Sequence, residues 1–222
     1  MQKNHQAQAS LRNLSCLDNA VSQCDTVLKT LLGQKTNSQR PNPAQKIPEP
    51  TLNAAEKIHS AGLMRVNHTG EVCAQALYQG QALTAKLPSV KEDMKMAAIE
   101  EEDHLAWCQE RLNELGATTS RFNALWYSLS FSLGAGAGLV SDKLSLGFVA
   151  ATEQQVCKHL DNHLKALPRS DDKSRAIITQ MRQDEAEHAE MALTAGGVKF
   201  PAPVKAAMSQ VAKVMTSLSY RC

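Results

Sequence analysis

Two short segments of this chain place a glutamate three residues before a histidine. The first is "EEDHLAW", with Glu101 and His104, and the second is "DEAEHAEMAL", with Glu185 and His188. Residues three apart share one face of an α-helix, so a carboxylate and an imidazole at this spacing can bind one metal ion. A single such turn also arises on a solvated helix surface. The repetition predicts two halves of one metal site.

Two further glutamates strengthen this prediction. Glu71 lies in "RVNHTGEVCAQALYQGQ" and Glu153 lies in "GFVAATEQQV", each among small or apolar residues where a carboxylate needs a partner. Glu101 follows Glu71 after 30 residues, and Glu185 follows Glu153 after 32. The same order, a lone glutamate and then Glu-x-x-His, therefore occurs twice in helical hairpins of matching length.

Four helices that carry these residues provide the ligand set of ferritin-like di-metal carboxylate proteins. Four carboxylates balance two divalent cations, and mixed oxygen and nitrogen ligation suits iron or manganese better than structural zinc. Without metal, we expect burial and mutual repulsion to raise the pKa values of the carboxylates. No catalytic residue beyond the ligands and no organic-cofactor site is predicted. The predicted metal ligands are Glu71, Glu101, His104, Glu153, Glu185 and His188.

Two acids flank the predicted ligands and are candidates to orient the imidazoles. We expect Asp184 to accept the Nδ1–H of His104 and Glu100 to accept that of His188, which fixes each histidine tautomer. The alternative is that both acids belong to a charged, solvated flank. Three other histidines are expected to be structural or surface residues rather than ligands: His68, His159 and His163.

The composition predicts an all-α protein. Ala, Leu, Gln, Glu and Lys dominate the 222 residues, and long stretches lack Pro and Gly. An N-terminal helix at 10–32 is followed by a Pro-rich linker at 33–50, so residues 1–50 are an appendage to a bundle formed by residues 51–222. The bundle helices are predicted at 52–86, 89–115, 125–140, 143–167, from an N-cap at Ser170 to Gly196-Gly197, and from Pro203 to near the C-terminus.

Charge and cysteine content exclude several classes of protein. Lys plus Arg number 24 and Asp plus Glu number 22, without a basic stripe, so nucleic acid is not an expected partner. The six cysteines form no C-x-x-C pair, and residues 1–10 lack the apolar core of a signal peptide. We therefore expect free thiols in a reducing, cytosol-facing compartment.

Residues 122–141, "FNALWYSLSFSLGAGAGLVS", contain no charged side chain. Three interpretations are open: a membrane-spanning helix, a buried crossover helix, or an interfacial helix with Trp126 and Tyr127 at the headgroup level. The segment connects the two halves of the repeat, which places it near the mouth of the metal site. That position suggests a hydrophobic substrate dissolved in the membrane.

The quoted segments around Glu71, Glu101, Glu153 and Glu185 together resemble the demethoxyubiquinone hydroxylase family of ubiquinone biosynthesis, and most closely its bacterial members, over about residues 52–222. The resemblance implies a ferritin-like di-iron monooxygenase with two iron ions per chain and O₂ as co-substrate. The implied substrate is 2-polyprenyl-3-methyl-6-methoxy-1,4-benzoquinol, which is hydroxylated to 3-demethylubiquinol. It also implies a peripheral protein at the cytoplasmic face of the cell membrane. A ubiquinone-biosynthesis complex and a homo-oligomer are the assemblies that it leaves open.

The reaction needs an external reductant, for which NADH, a reductase and the quinol itself are candidates. No Rossmann fingerprint or flavin motif is present in the sequence. Two alternative functions remain open at this point. One is a ferritin- or rubrerythrin-like iron oxidase or peroxidase with the same six ligands, and the other is a non-catalytic quinone-lipid scaffold of a biosynthetic complex.

Overall fold

The structure is a computed structural model that describes residues 25–28, 30 and 38–222. The chain is all-α over these residues, as predicted. Residues 25–28 and Thr30 are helical, while the remainder of the predicted 10–32 helix lies outside the described residues. Six longer helices follow: α1 Ala54–Thr84, α2 Pro88–Glu114, α3 Asn123–Val140, α4 Asp142–Ala166, α5 Asp172–Thr194 and α6 Ala202–Arg221.

Local sequence signals set the helix ends within a few residues of the predicted bounds. Helix α1 begins with a capping box: Asn53 Oδ1 accepts the backbone N–H of Glu56 at 3.0 Å, and Glu56 Oε2 accepts the backbone N–H of Asn53 at 2.9 Å. Gly116 and Gly196 adopt positive φ angles of 69° and 101° and stop α2 and α5.

The predicted N-cap of α5 at Ser170 is wrong. Asp171 caps the helix instead, because its Oδ1 accepts the backbone N–H of Ser174 at 3.1 Å. The same carboxylate accepts a hydrogen bond from Arg111 Nη2 at 2.9 Å, and its side chain is fully buried. An interhelical ion pair, which the local sequence does not reveal, therefore selects the capping residue.

Helices α1, α2, α4 and α5 form the ferritin-like four-helix bundle. The pairs α1–α2 and α4–α5 are helical hairpins, and α2 contacts α5 and α1 contacts α4 across the bundle. A buried apolar cluster that includes Trp107, Leu112, Ile177 and Met181 fills one end of the interior. The fold class is therefore confirmed, and each hairpin carries one copy of the glutamate pattern.

Helix α3 is the crossover between the two hairpins, and it packs closely on α1. A Cβ atom at Gly134 would overlap the carbonyl oxygen of Leu77, so only glycine permits this approach. Its outer face is exposed: Leu125 is 52 %, Leu129 49 % and Leu133 54 % accessible. The interpretation as a buried crossover helix is thus correct for one face only. Within residues 25–28, 30 and 38–222, no helix combines the length and apolarity needed to cross a membrane.

Residues 38–50, the described part of the predicted linker, contact helix α2. Asn42 Nδ2 donates to Glu110 Oε2 at 2.6 Å, and Ala44 is buried in the same apolar cluster as Trp107. Glu49 pairs with Arg111 at 3.0 Å. These contacts tie the segment to the bundle, while the predicted division into 1–50 and 51–222 stays a prediction.

Candidate metal centre

Four of the predicted ligands converge in the bundle interior. One oxygen or nitrogen atom each of Glu71, Glu101, His104 and Glu185 lies within 4.8 Å of all the others. The residues come from α1, α2 and α5, and each is at most 3 % exposed. A group of three carboxylates and one imidazole at this separation can enclose a cation.

The other two predicted ligands border this group. His188 Nδ1 lies 3.2 Å from Glu101 Oε1 and 3.5 Å from Glu185 Oε2. Glu153 is 1 % exposed, its carboxyl group lies beside that of Glu185, and its Oε1 accepts a hydrogen bond of 2.6 Å from Tyr78 Oη. The fold therefore brings all six residues together, and their roles as metal ligands remain a prediction.

The two flanking acids contact the predicted histidines, but through a different nitrogen. His104 Nε2 lies 2.8 Å from Asp184 Oδ2, and His188 Nε2 lies 2.6 Å from Glu100 Oε2. The predicted partners are confirmed and the predicted nitrogen, Nδ1, is wrong. The reason is ring orientation, since His104 Nδ1 faces the carboxylate group and lies 2.8 Å from Glu101 Oε2. A carboxylate acceptor at Nε2 fixes the proton there and leaves Nδ1 available to a cation.

In the metal-free cluster, the pKa values of the glutamates shift in different directions. Burial, together with the neighbouring carboxylates, raises the pKa values of Glu71 and Glu153 well above the ordinary glutamate value, as predicted. The prediction is wrong for Glu101: burial raises its pKa, but the imidazoles of His104 and His188 outweigh burial and lower it. Conversely, burial lowers the pKa of His188, but Glu101 and Glu185 outweigh that effect and raise it to about 12.

Several buried polar atoms of the cluster have no hydrogen-bond partner among the described residues. Buried polar atoms without partners are costly, and each requires an explanation. Divalent cations explain them, because carboxylate oxygens and imidazole nitrogens are the donors that iron and manganese accept. The residues present therefore fit a metal pair. His188 Nδ1 makes only ion-pair contacts, at 3.2 Å with Glu101 Oε1 and 3.5 Å with Glu185 Oε2. The atoms without a hydrogen bond are Glu71 Oε2, Glu101 Oε1, Glu185 Oε2 and His188 Nδ1.

Two contributors to the site were not predicted from the sequence. Tyr78 lies seven residues after Glu71 on α1, which is two helical turns, and that spacing could have identified it. Arg40 lies in the predicted linker, and its Nη2 is 2.9 Å from Asp184 Oδ2. No local signal in the sequence connects Arg40 to residues far along the chain.

The three other histidines singled out in the sequence make contacts outside the group of Glu71, Glu101, His104 and Glu185. His68 approaches Asn123 Nδ2 at 3.5 Å, while His159 and His163 contact each other with ring centroids 3.9 Å apart. Burial lowers the pKa of His68 to about 4, that of His159 to about 4 and that of His163 to about 3. Four cysteines are free thiols: Cys73, Cys108, Cys157 and Cys222. The other two, Cys16 and Cys24, lie outside the described residues.

A four-helix bundle whose core gathers glutamates and histidines from both hairpins defines a ferritin-like carboxylate protein. The family described as "Ubiquinone biosynthesis protein COQ7" matches residues 58–219, and the chain belongs to this family. It is 60 % identical over 213 residues to the 3-demethoxyubiquinol 3-hydroxylase of Pseudomonas syringae pv. syringae, covering 96 % of this chain and 99 % of that protein. The proteins of the same name from Stutzerimonas stutzeri and Azotobacter vinelandii are 59 % and 60 % identical, with the same coverage of both chains.

Proposed function

We propose that this chain is a 3-demethoxyubiquinol 3-hydroxylase, a di-iron monooxygenase of ubiquinone biosynthesis. The observation that carries the proposal is the buried glutamate–histidine cluster with unpartnered donor atoms. Near-full-length relatives that share this name support the substrate class, a polyprenyl methoxy-benzoquinol. The same relatives favour hydroxylation over iron storage or a scaffold role.

The six cluster residues are the proposed ligands of two iron ions, Glu71, Glu101, His104, Glu153, Glu185 and His188. Ferrous ions, when bound, supply the electrons that ground-state O₂ needs to react with a closed-shell organic molecule. One oxygen atom enters the quinol ring and the other leaves as water, so two electrons must come from an external reductant such as NADH.

The protein residues hold the proposed ligands in place. Asp184 and Glu100 keep the Nε2 protons of His104 and His188, at 2.8 and 2.6 Å, so that each Nδ1 faces inward. Tyr78 donates a hydrogen bond to Oε1 of Glu153 and so fixes that carboxyl group beside Glu185. The six cluster residues are each at most 3 % exposed, and burial strengthens the electrostatic interactions among them.

We further propose that the protein contacts the cytoplasmic face of the membrane through the outer face of α3. The exposed leucines Leu125, Leu129 and Leu133 support this, because they recur every fourth residue along one helix face. A polyprenyl substrate resides in the bilayer, and α3 packs directly on α1, which carries Glu71. Peripheral contact at α3 therefore shortens the path from lipid to the cluster.

The test of the function is a quinone analysis in cells. A strain that lacks the protein should accumulate the demethoxy-quinol, and the wild-type gene should restore ubiquinone. Glu153→Ala should fail to do so and should lower the iron content of protein purified anaerobically with iron supplied. Glu190→Ala, which removes an exposed glutamate of α5, is the matched control and should behave as wild type. Normal quinone content in the deletion strain contradicts the proposal.

The membrane contact is tested by sedimentation with vesicles. Leu129→Glu places a charge on the exposed face of α3 and should reduce the bound fraction while iron loading is unchanged. Asn162→Glu adds the same charge to an exposed position of α4 and should bind as wild type. Equal binding of both variants would remove α3 from the contact.

A further inference from the structure

The predicted linker is anchored on helix α2 by one buried acid, Asp103. Its Oδ1 accepts hydrogen bonds from Ser38 Oγ at 3.0 Å, Gln39 N at 2.6 Å and Arg40 N at 3.4 Å. Its Oδ2 accepts from Arg40 Nε at 2.8 Å, and Asp103 is only 2 % exposed. Several hydrogen bonds to one buried carboxylate fix the register of the segment, and they place the Arg40 side chain next to His104.

The guanidinium group of Arg40 then reaches the acid that holds His104. Arg40 Nη2 lies 2.9 Å from Asp184 Oδ2, the same oxygen that faces His104 Nε2 at 2.8 Å. The guanidinium also lies over the Trp107 ring, 5.0 Å from its centroid, which restricts its movement. Gln180 Nε2 donates to the other oxygen of Asp184 at 2.9 Å. The Asp184 carboxylate is thereby held from three sides.

The second histidine of the cluster is held differently. The Glu100 side chain, which faces His188 Nε2, is 49 % exposed, whereas that of Asp184 is 11 % exposed. Among the described residues, the structure gives Asp184 an arginine partner and gives Glu100 only His188 as an ion-pair partner. The two proposed metal positions therefore differ in how firmly their histidine is supported.

We propose that Arg40 is a positioning residue of the metal centre, which fixes the Asp184 carboxylate and through it the ring of His104. This inference rests on the proposed function, because it takes His104 as a metal ligand. It assigns a role to residues 38–40 of the predicted linker, whose docking on Asp103 determines whether the guanidinium reaches Asp184. The support is strongest for the ion bound by His104.

Solvent access explains why the support matters. A groove of about 470 Å³ runs along this side of the bundle and is lined by Arg40, Asp184 and His188, among others. Without the guanidinium, Asp184 keeps only Gln180 and His104 as side-chain partners, and its carboxylate rotates more readily toward water in the groove. The His104 ring then loses its fixed orientation, and the bound ion is released more readily.

The experiment measures iron release from the full chain loaded anaerobically with Fe²⁺, after transfer to an excess of a chromogenic ferrous chelator. Loss of a direct partner of a ligand typically costs 10- to 100-fold in metal affinity. Arg40 Nη2 pairs with Asp184 at 2.9 Å and lies 3.3 Å from His104 Nε2, so Arg40→Gln, which leaves Asp184 in place, should speed the release of one ion about 3- to 10-fold. Arg40→Lys should restore part of the slow release, because it keeps a charge but not the planar fork. Arg182→Gln is the matched control, since Arg182 also pairs with an aspartate at 2.9 Å and its side chain is 44 % exposed against 39 % for Arg40.

A double variant separates positioning from simple anchoring of the linker. If Arg40 acts through Asp184, Arg40→Gln with Asp184→Asn should release iron no faster than Asp184→Asn alone. The inference is overturned if the two substitutions multiply the release rate in the double variant. It is also overturned if Arg40→Gln releases iron at the same rate as Arg182→Gln. In both cases the wild-type protein still binds iron, so the proposed function is unaffected. Wild-type protein that binds no iron overturns the proposed function, and the inference with it.

Discussion

Glu71→Gln should stabilise the metal-free protein while it weakens iron binding. In the metal-free cluster, oxygen atoms of Glu101 and Glu185 lie within 4.8 Å of Glu71, and His104 Nδ1 lies 3.6 Å from Glu71 Oε2. At an effective dielectric of about 20, each repulsion is worth about 3.5 kcal/mol and the attraction about 4.6 kcal/mol. The two repulsions together exceed the attraction by about 2 kcal/mol, before the cost of burial.

The sign of the pH dependence follows from the raised pKa of Glu71. Below its ordinary value of 4.5 the group is protonated in both states and contributes nothing. Above 4.5 the unfolded chain ionises while the folded protein retains the proton, so wild-type stability falls by up to about 1.4 kcal/mol per pH unit until the folded pKa is reached. Glutamine removes this loss, which is at most about 4 kcal/mol at pH 7.5.

The assay is urea unfolding of metal-free protein at pH 5 and pH 7.5. We expect the variant to be more stable than wild type by about 1–3 kcal/mol at pH 7.5 and nearly equal in stability at pH 5. The gain at pH 7.5 is smaller than the limit of about 4 kcal/mol because the buried amide requires new hydrogen bonds. Added ferrous iron should stabilise wild type more than the variant. Glu92→Gln, at an exposed pair with Lys95, is the control and should change stability by less than about 0.5 kcal/mol. A variant that is less stable at pH 7.5, or whose advantage is the same at both pH values, refutes the reasoning.

Two further predictions concern the packing that positions the cluster. Arg111→Met should lower the free energy of unfolding by about 3–5 kcal/mol, because it leaves the buried carboxylate of Asp171 without its partner; a loss below about 1 kcal/mol in urea unfolding contradicts this. Gly134→Ala should destabilise the protein by about 1–3 kcal/mol, since the added Cβ overlaps the Leu77 carbonyl and separates α3 from α1. The control is Gly136→Ala, two residues away, where an added Cβ meets nothing within 4 Å; it should stabilise the protein by about 0.5–1 kcal/mol. Equal changes in the melting temperature of the two variants would show that the contact between Gly134 and Leu77 is not tight.

The sequence predicted the six longer helices of the described residues because their ends are set by local chemistry. Proline at the start of α2, the Asn53 capping box and the glycines with positive φ act within a few residues of the chain. The repeat of Glu and Glu-x-x-His also required only helix geometry and counting. The N-cap at Asp171 was missed because an arginine from another helix selects it.

The details of the cluster could not be read from spacing alone. The Nε2 contacts of the histidines depend on how each ring is turned between helices, and the lowered pKa of Glu101 depends on two imidazoles from different helices. The exposed outer face of α3 depends on its glycine contact with α1, which leaves the leucine side without a cover. Each is a property of helix packing rather than of any single helix.

The sequence by itself therefore determined that the chain is helical, that two hairpins carry the same glutamate and histidine pattern, and which six side chains converge. Helix periodicity is local, so the face on which a residue lies follows from its number. Only the tertiary structure decided that Asp184 faces His104, that Tyr78 binds Glu153, and that Arg40 from the linker supports Asp184. These contacts join residues 75 to 144 positions apart in the chain, and their formation depends on the distances and angles between packed helices.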